Sequence, residues 1–221
     1  MSSFNFYDVE QNTEEWFGMR AGKLTSSSLS KVMANYGKSF GDPAKQLAVN
    51  IALEQVTGVR AGSSYSNEHM DRGHEQEPIA RTHYEAINFC EVSNGGFFDN
   101  GFMGCSPDGL VREEGVIEIK SALPHVHYAR VKRGGLDPVY KWQCISNLEQ
   151  TGRDWLDFIS FCPDFPEDQK MFCYRVHKGQ FQEEVAMIED RATLFSALVE
   201  ETKEKIMGSK YIINVERGEV G

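Results

Sequence analysis

No Cys-x-x-Cys pair occurs in this 221-residue chain, whose five cysteines stand singly at Cys90, Cys105, Cys144, Cys162 and Cys173. An odd number of lone thiols fits a reducing cytoplasm better than a disulfide framework, and the missing paired spacing argues against zinc ribbons and iron–sulfur clusters. No apolar run approaches the ~18 residues of a membrane helix, and the polar start carries no signal-peptide pattern. A cytoplasmic location with no membrane partner is therefore expected. Positive charge is scarce as well: 23 Lys and Arg face 33 Asp and Glu, a formal net charge of −10. Internal repeats, low-complexity tracts and an interdomain linker are all lacking. With 40% hydrophobic residues, the chain has enough material for one sizeable core. It is expected to form a single α/β domain over residues 1–221, a central mixed β-sheet flanked by helices.

Two short segments carry the chemistry. Val116-Ile117-Glu118-Ile119-Lys120 alternates in the period of a strand, sending Ile117 and Ile119 to the core. Glu118 and Lys120 then share the other face, about 6–7 Å apart at the usual rise per residue. Upstream, Ser106-Pro107-Asp108-Gly109-Leu110 has turn chemistry, and Glu113-Glu114-Gly115 predicts a hairpin turn that brings the chain back. Asp108 and Glu118 are thus expected to meet. Two carboxylates without cysteine or imidazole make a hard, all-oxygen site suited to Mg2+, with Mn2+ able to substitute. The carbonyl of Ile119 is a third available oxygen. A cation there would polarise a phosphate and acidify a bound water. Lys120 would orient or deprotonate that water, or offset the growing negative charge. Either segment alone reads better as a plain turn or an amphipathic strand with a solvated face; their pairing is what is specific.

Residues 68–88 predict a helix, with Ile79, Ala80, His83 and Tyr84 at apolar spacing. It offers a third acid, Glu77, which also stands four residues before Arg81 as an ordinary ion pair would; Glu75 is the weaker candidate. Near the start, Arg20 precedes the hydroxyl-rich Thr25-Ser26-Ser27-Ser28, a helix opening suited to an anion, with arginine as a bidentate phosphate donor. A capped helix with a surface arginine is the plain alternative. Proline near the start and glycine after the end predict helices over 42–58, 124–134 and 138–152. Apolar runs at 155–162 and 171–176 predict strands, and 182–207 a long acidic helix with Val185, Ile188, Ala192, Phe195, Leu198 and Val199 on its core stripe.

Five ordered blocks carry a family resemblance: Arg20-Ala21-Gly22-Lys23-Leu24-Thr25-Ser26-Ser27, Arg72-Gly73 with Glu77-Pro78, Gly104-Cys105-Ser106-Pro107-Asp108-Gly109-Leu110, Glu118-Ile119-Lys120 and Gln143. Over roughly residues 10–150 the chain resembles the YqaJ-like viral recombinase family, nucleases with a restriction-endonuclease-like PD-(D/E)xK core. The resemblance implies a magnesium-dependent exonuclease, phage or prophage encoded, that degrades one strand of linear double-stranded DNA from its 5' end and leaves a 3' tail for recombination by strand annealing. It also implies Glu77, Asp108, Glu118 and the Ile119 carbonyl as metal ligands, Lys120 as the catalytic lysine, and Gln143 beside the active site. Arg20, Ser27 and Ser106 would contact the 5'-terminal phosphate. A ring-shaped homotrimer and a single-strand annealing protein as partner are further implications. One departure stands out: related nucleases often place a tyrosine four residues after that glutamine, where this chain has Asn147.

Charge distribution softens the acidic balance. Between Lys120 and Lys141 the bases Lys120, Arg130, Lys132, Arg133 and Lys141 oppose Asp137 alone, whereas from Glu183 to Gly221 nine acids oppose five bases. Basic charge is therefore expected to line a substrate channel, with acidic charge on the exterior. His125 and His127 lie two apart on a helix and point different ways, so they are expected at the surface or facing DNA. Two rival readings are an endonuclease of the same chemistry, which needs no DNA end, and a DNA-binding module that has lost activity.

Overall fold

A computed structural model describes residues 4–61 and 68–208, without the side chains of 68–71. The elements run β1 (Asn5–Tyr7), α1 (Glu14–Arg20), β2 (Leu24–Thr25), α2 (Leu29–Met33), α3 (Asp42–Thr57), α4 (Glu68–Asn88), β3 (Val92–Ser93), β4 (Phe97–Asp99), β5 (Met103–Cys105), β6 (Gly109–Val111) and β7 (Gly115–Ser121). Then follow α5 (Pro124–Arg133), α6 (Lys141–Thr151), β8 (Trp155–Phe161), β9 (Met171–His177) and α7 (Gln182–Gly208).

The expected central mixed sheet flanked by helices is present, and a second, smaller mixed sheet stands beside it. A five-stranded sheet has the order β3-β6-β7-β8-β9, and a four-stranded one the order β1-β4-β5-β2. The second sheet was hidden because its strands are only two or three residues long, too short to show a period. The expected hairpin is present: β6 pairs antiparallel with β7, Gly109 opposite Ile117 and Val111 opposite Gly115. β7 then pairs in parallel with β8 along its whole length. A parallel neighbour requires a crossover, which α5 and α6 supply.

Strand alternation sorts β7 as anticipated. Ile117 and Ile119 pack with Ile159, Phe161 and, from α4, Ala80 and Tyr84. On the other face Val116 joins Leu156, Phe158 and, from α6, Cys144 and Leu148. Glu118 and Lys120 are on this α6 side. A third cluster joins α2, α3 and α7 through Leu29, Ala48, Ile51, Phe195 and Val199. Ile79 is the exception to the α4 stripe: it is exposed, because the buried line runs through Ala80 and Tyr84, and residue 79 turns off it by a helical step of 100°.

Punctuation placed the helix ends well. Gly58, Gly134 and Gly152 close α3, α5 and α6 in the left-handed region. The predicted start at Pro138 is a short 3-10 turn that leads into α6. Thr25–Ser28 differs more, since Ser26–Ser28 form a 3-10 turn before the five-residue α2, without a side-chain cap.

The end of α2 is secured from a distance. Arg191, on α7 and only 3% exposed, donates to the carbonyls of Val32 at 2.9 Å, Lys38 at 2.9 Å and Ala34 at 3.3 Å. Its guanidinium also stacks 3.8 Å from the Phe40 ring centroid. Arg191→Met is expected to strand these carbonyls and cost on the order of 3 kcal/mol, with Arg191→Lys intermediate because it lacks the fork. Urea unfolding reads this directly; a midpoint unchanged in the methionine variant would refute the role.

Candidate active site

Asp108 reaches β7 through its own backbone. Its N–H donates to the Ile117 carbonyl at 3.1 Å, and its Oδ2 accepts from the Ile119 N–H at 2.6 Å. The pairing of β6 with β7 thereby sets the carboxylate one strand away from Glu118. Below it, Gly95 presses so close to the Pro107 carbonyl that a methyl group there would sit 1.7 Å from that oxygen. The same oxygen accepts from Gln11 Nε2 at 2.8 Å.

Glu118 is fully buried, and its carboxylate is gripped on both oxygens. Gln143 Nε2 donates to Oε1 at 2.5 Å, Asn147 Nδ2 to Oε2 at 2.7 Å, and the Lys120 ammonium is paired with Oε1. Positions 143 and 147 are one turn apart on α6 and so share a face. Asn147, noted above only as a departure, is thus a contact of the central acid; the i, i+4 spacing was the available signal. Glu77, on α4, holds Arg81 at 3.2 Å, and Arg81 also donates to the Asp108 carbonyl at 2.5 Å. That second bond ties the helix acid to the hairpin and had no signature in the sequence.

The three acids burden one another. Burial and then repulsion from Asp108 push the Glu118 carboxyl up to about 8. The same two causes push Glu77 up to about 7, against the pull of Arg81 and Lys120. Asp108 is also raised by burial, opposed by Lys120 and the Ile119 N–H. For Lys120, burial disfavours the ammonium, but Glu118 and Asp108 outweigh it and the pKa rises. Of the roles open to Lys120, a positive donor therefore fits better than a base.

Three carboxylates against two cations offer oxygen ligands that fit a hard divalent ion; His74, which also borders the pocket, stands 3.4 Å from Asn12 Nδ2. Among the described residues no group of three or more His, Cys, Asp or Glu side chains forms a ready-made cage. The Ile119 carbonyl, water and substrate phosphate would supply the remaining ligands, as is usual for magnesium.

Two cavities meet at these acids. One, of about 830 Å³, takes in Glu77, Asp108, Glu118, Lys120, Gln143 and Asn147 and extends to Arg20, Ser27 and Ser106. The other, of about 450 Å³, is lined by Ile119, Ser121, Arg130 and Tyr140. His74, Glu77, Asp108 and Lys120 border both. Ser106 Oγ accepts from Trp16 Nε1 at 2.8 Å and from Arg20 NH1 at 3.1 Å, which leaves its own hydrogen to donate to a third group. Arg20 lies over the Trp16 ring, 4.1 Å from its centroid. Burial lowers its pKa to about 10, so the guanidinium remains charged at neutral pH. Ser27 is exposed beside it, 3.2 Å from Thr25 Oγ1. All nine residues singled out from the sequence thus line one cavity or the other.

Of the basic stretch from Lys120 to Lys141, Lys120 and Arg130 line the cavities and Lys132 is exposed, while Lys120, Arg130, Arg133 and Lys141 have acidic partners. Arg130 is buried and bonded to Asp137, Arg133 pairs with the same acid, Lys141 pairs with Glu184 and Lys120 with Glu118. Counting charge along the chain included Asp137 but not Glu184, which comes from α7. His127 is not at the surface: it is fully buried, with Nδ1 2.9 Å from Ser160 Oγ and Nε2 3.0 Å from the Gln169 carbonyl. His125 is exposed as expected. All five cysteines are free, and no helix among the described residues is long and apolar enough to cross a membrane.

Residues 15–154 match the family described as YqaJ-like viral recombinase domain. Among solved structures, the alkaline exonuclease LHK-Exo from Laribacter hongkongensis is similar at 32% identity and a TM-score of 0.78, covering 88% of this chain and 96% of that one. LHK-Exo in complex with dAMP gives 33% identity and a TM-score of 0.79 over the same shares. A phage related exonuclease from Haemophilus somnus 129PT shares the fold at 15% identity and a TM-score of 0.65, covering 83% of this chain and 96% of that one. No curated protein sequence matches.

Proposed function

The chain belongs to the YqaJ-like viral recombinase family, and from that membership we propose that it is a divalent-metal-dependent 5'-to-3' exonuclease of linear double-stranded DNA. The observation that carries this reading is one cavity in which Asp108, Glu118 and Lys120 stand together with the anion grip of Arg20 and Ser106. A nuclease site coupled to a phosphate clamp suits a substrate with a free 5' end.

In this reading Glu77, Asp108, Glu118 and the Ile119 carbonyl hold magnesium, or manganese in its place. The ion, when bound, supplies a polarised phosphate and an acidified water. Lys120 donates to a phosphate oxygen and offsets charge as the P–O bond breaks. Gln143 and Asn147 hold Glu118 in a single orientation. Arg20 and the free hydrogen of Ser106 bind the 5'-terminal phosphate, with Ser27 beside them, and so set the position of the first phosphodiester. Acting as a single nuclease domain in a bacterial cytoplasm, on phage or prophage business, the protein would leave a 3' single strand for an annealing protein. A homotrimeric ring around the duplex would keep it threaded between cuts.

Linear duplexes labelled at either end and a closed circle, incubated with magnesium or a chelator, test the reading. The 5' label should be released first, the circle should stay intact, and the chelator should stop digestion. A cut circle would favour the endonuclease, and intact linear DNA in magnesium the inactive module. Arg20→Ala should lose the preference for 5'-phosphorylated over 5'-hydroxyl ends; equal loss on both would make Arg20 structural.

A further inference from the structure

Trp16 and Phe17 are adjacent on α1, with ring centroids 5.0 Å apart at 65°. Each carries an arginine: Arg20 over Trp16, and Arg60 over Phe17, both at 4.1 Å from the centroid. Arg60 follows the end of α3, forty residues away in sequence, yet it lines the same cavity as Arg20, Ser106 and the catalytic acids. Among the described residues it has no carboxylate within ion-pair distance, although it is exposed.

A single side chain registers the two segments. Glu54, on α3, accepts from the Gly22 N–H on Oε2 at 2.7 Å and from the Ala61 N–H on Oε1 at 2.9 Å. Gln55 Nε2 adds a bond to the Gly22 carbonyl at 2.9 Å. The backbone two residues after Arg20 and one residue after Arg60 is therefore fixed to one carboxylate. The two guanidiniums also sense each other, since Arg60 contributes to the lowering at Arg20 that burial dominates. Two cations that face one cavity, each seated on an aromatic ring and not ion-paired to a carboxylate among the described residues, suit a chain of phosphates. An aromatic shelf reduces the rotamer freedom that an exposed arginine would lose on binding.

We propose that Arg60, seated on Phe17 and aligned by Glu54, is a second phosphate contact that binds the sugar-phosphate backbone of the DNA strand whose 5' end Arg20 holds. The inference rests on the end-binding reading above. Arg60 is then a specificity-determining residue: it distinguishes a polynucleotide from the mononucleotide product, which has one phosphate to offer.

Binding of a 5'-phosphorylated duplex and of dAMP, measured in EDTA over a range of salt, tests it. Arg60→Ala should weaken duplex binding on the order of tenfold at low salt and reduce the log–log salt slope by about one, with dAMP affinity and melting temperature unchanged. Arg60→Lys should keep the slope but lose part of the affinity, and Phe17→Leu should fall between wild type and Arg60→Ala. Arg20→Ala should weaken both ligands. If Arg20→Ala behaves so while Arg60→Ala keeps wild-type affinity and slope, the Arg60 contact is wrong and the end-binding reading stands. If Arg20→Ala changes neither ligand, both fall together.

Discussion

Asp108→Asn is expected to slow digestion of linear duplex in magnesium on the order of 10³-fold or more while leaving the fold as stable as wild type or slightly more so. Asparagine keeps a side-chain carbonyl where Oδ2 now accepts from the Ile119 N–H, so the hairpin geometry survives. What disappears is one negative charge among three. Glu118 and Glu77 are each raised partly by repulsion from Asp108, and that repulsion is relieved, although Lys120 loses one of its two counter-charges. A site that gains stability when disabled is expected where function imposes strain. Asp108→Ala should behave differently, because it leaves the Ile119 N–H without its acceptor at a cost of about 1–3 kcal/mol. Digestion rates, Mn2+ titration and urea midpoints measured together separate the two variants. Asparagine-variant digestion near the wild-type rate would overturn the assignment of Asp108.

The second large effect lies outside the acids. Gly95→Ala should destabilise the protein by about 3 kcal/mol and depress activity on the order of 10²-fold, the loss expected when a reacting group moves by about 1 Å. The added methyl group would meet the Pro107 carbonyl oxygen at 1.7 Å and its carbon at 2.7 Å. Both sides of this contact are backbone, so no rotamer can relieve it. Asn94 holds the loop from the other side, donating to Asp8 Oδ1 at 2.7 Å and to the Val9 carbonyl at 3.0 Å. Displacement must therefore pass to Pro107 and from there to Asp108. Gly135→Ala, where a methyl group meets nothing within 4 Å, is the control. Wild-type urea midpoint and wild-type rate in Gly95→Ala would show that the loop yields more easily than its bonding indicates.

Local pattern made the chemistry legible, and long-range contact hid the rest. Two-residue periodicity put Glu118 and Lys120 on one face of β7, and turn residues returned the chain to Asp108. Proline and glycine marked α3 and α5 for the same reason: these signals act within a few residues. By contrast, Gly95 under Pro107, the bond from Arg81 to the Asp108 carbonyl and the Glu54 bridge join segments far apart in the chain. Asn147 lay between these cases, since its spacing from Gln143 was visible but its partner, Glu118, was not. The surface placement of His127 failed, and the Glu184 partner of Lys141 was out of view, by one mechanism. Each was judged from its near neighbours in the chain, whereas Ser160, Gln169 and Glu184 come from elsewhere.

β7 is an interior strand, paired with β8 along its whole length and with β6 over Gly115–Ile117, and beyond that point the Asp108 carboxylate continues the second side by accepting from the Ile119 N–H. Amides in such a position open only with the whole domain, not by fraying. The backbone that carries Glu118 is therefore expected to be among the slowest parts of the protein to exchange hydrogen with solvent. Heat inactivation should coincide with global melting, with no cooler regime in which the fold persists and the acids have come apart.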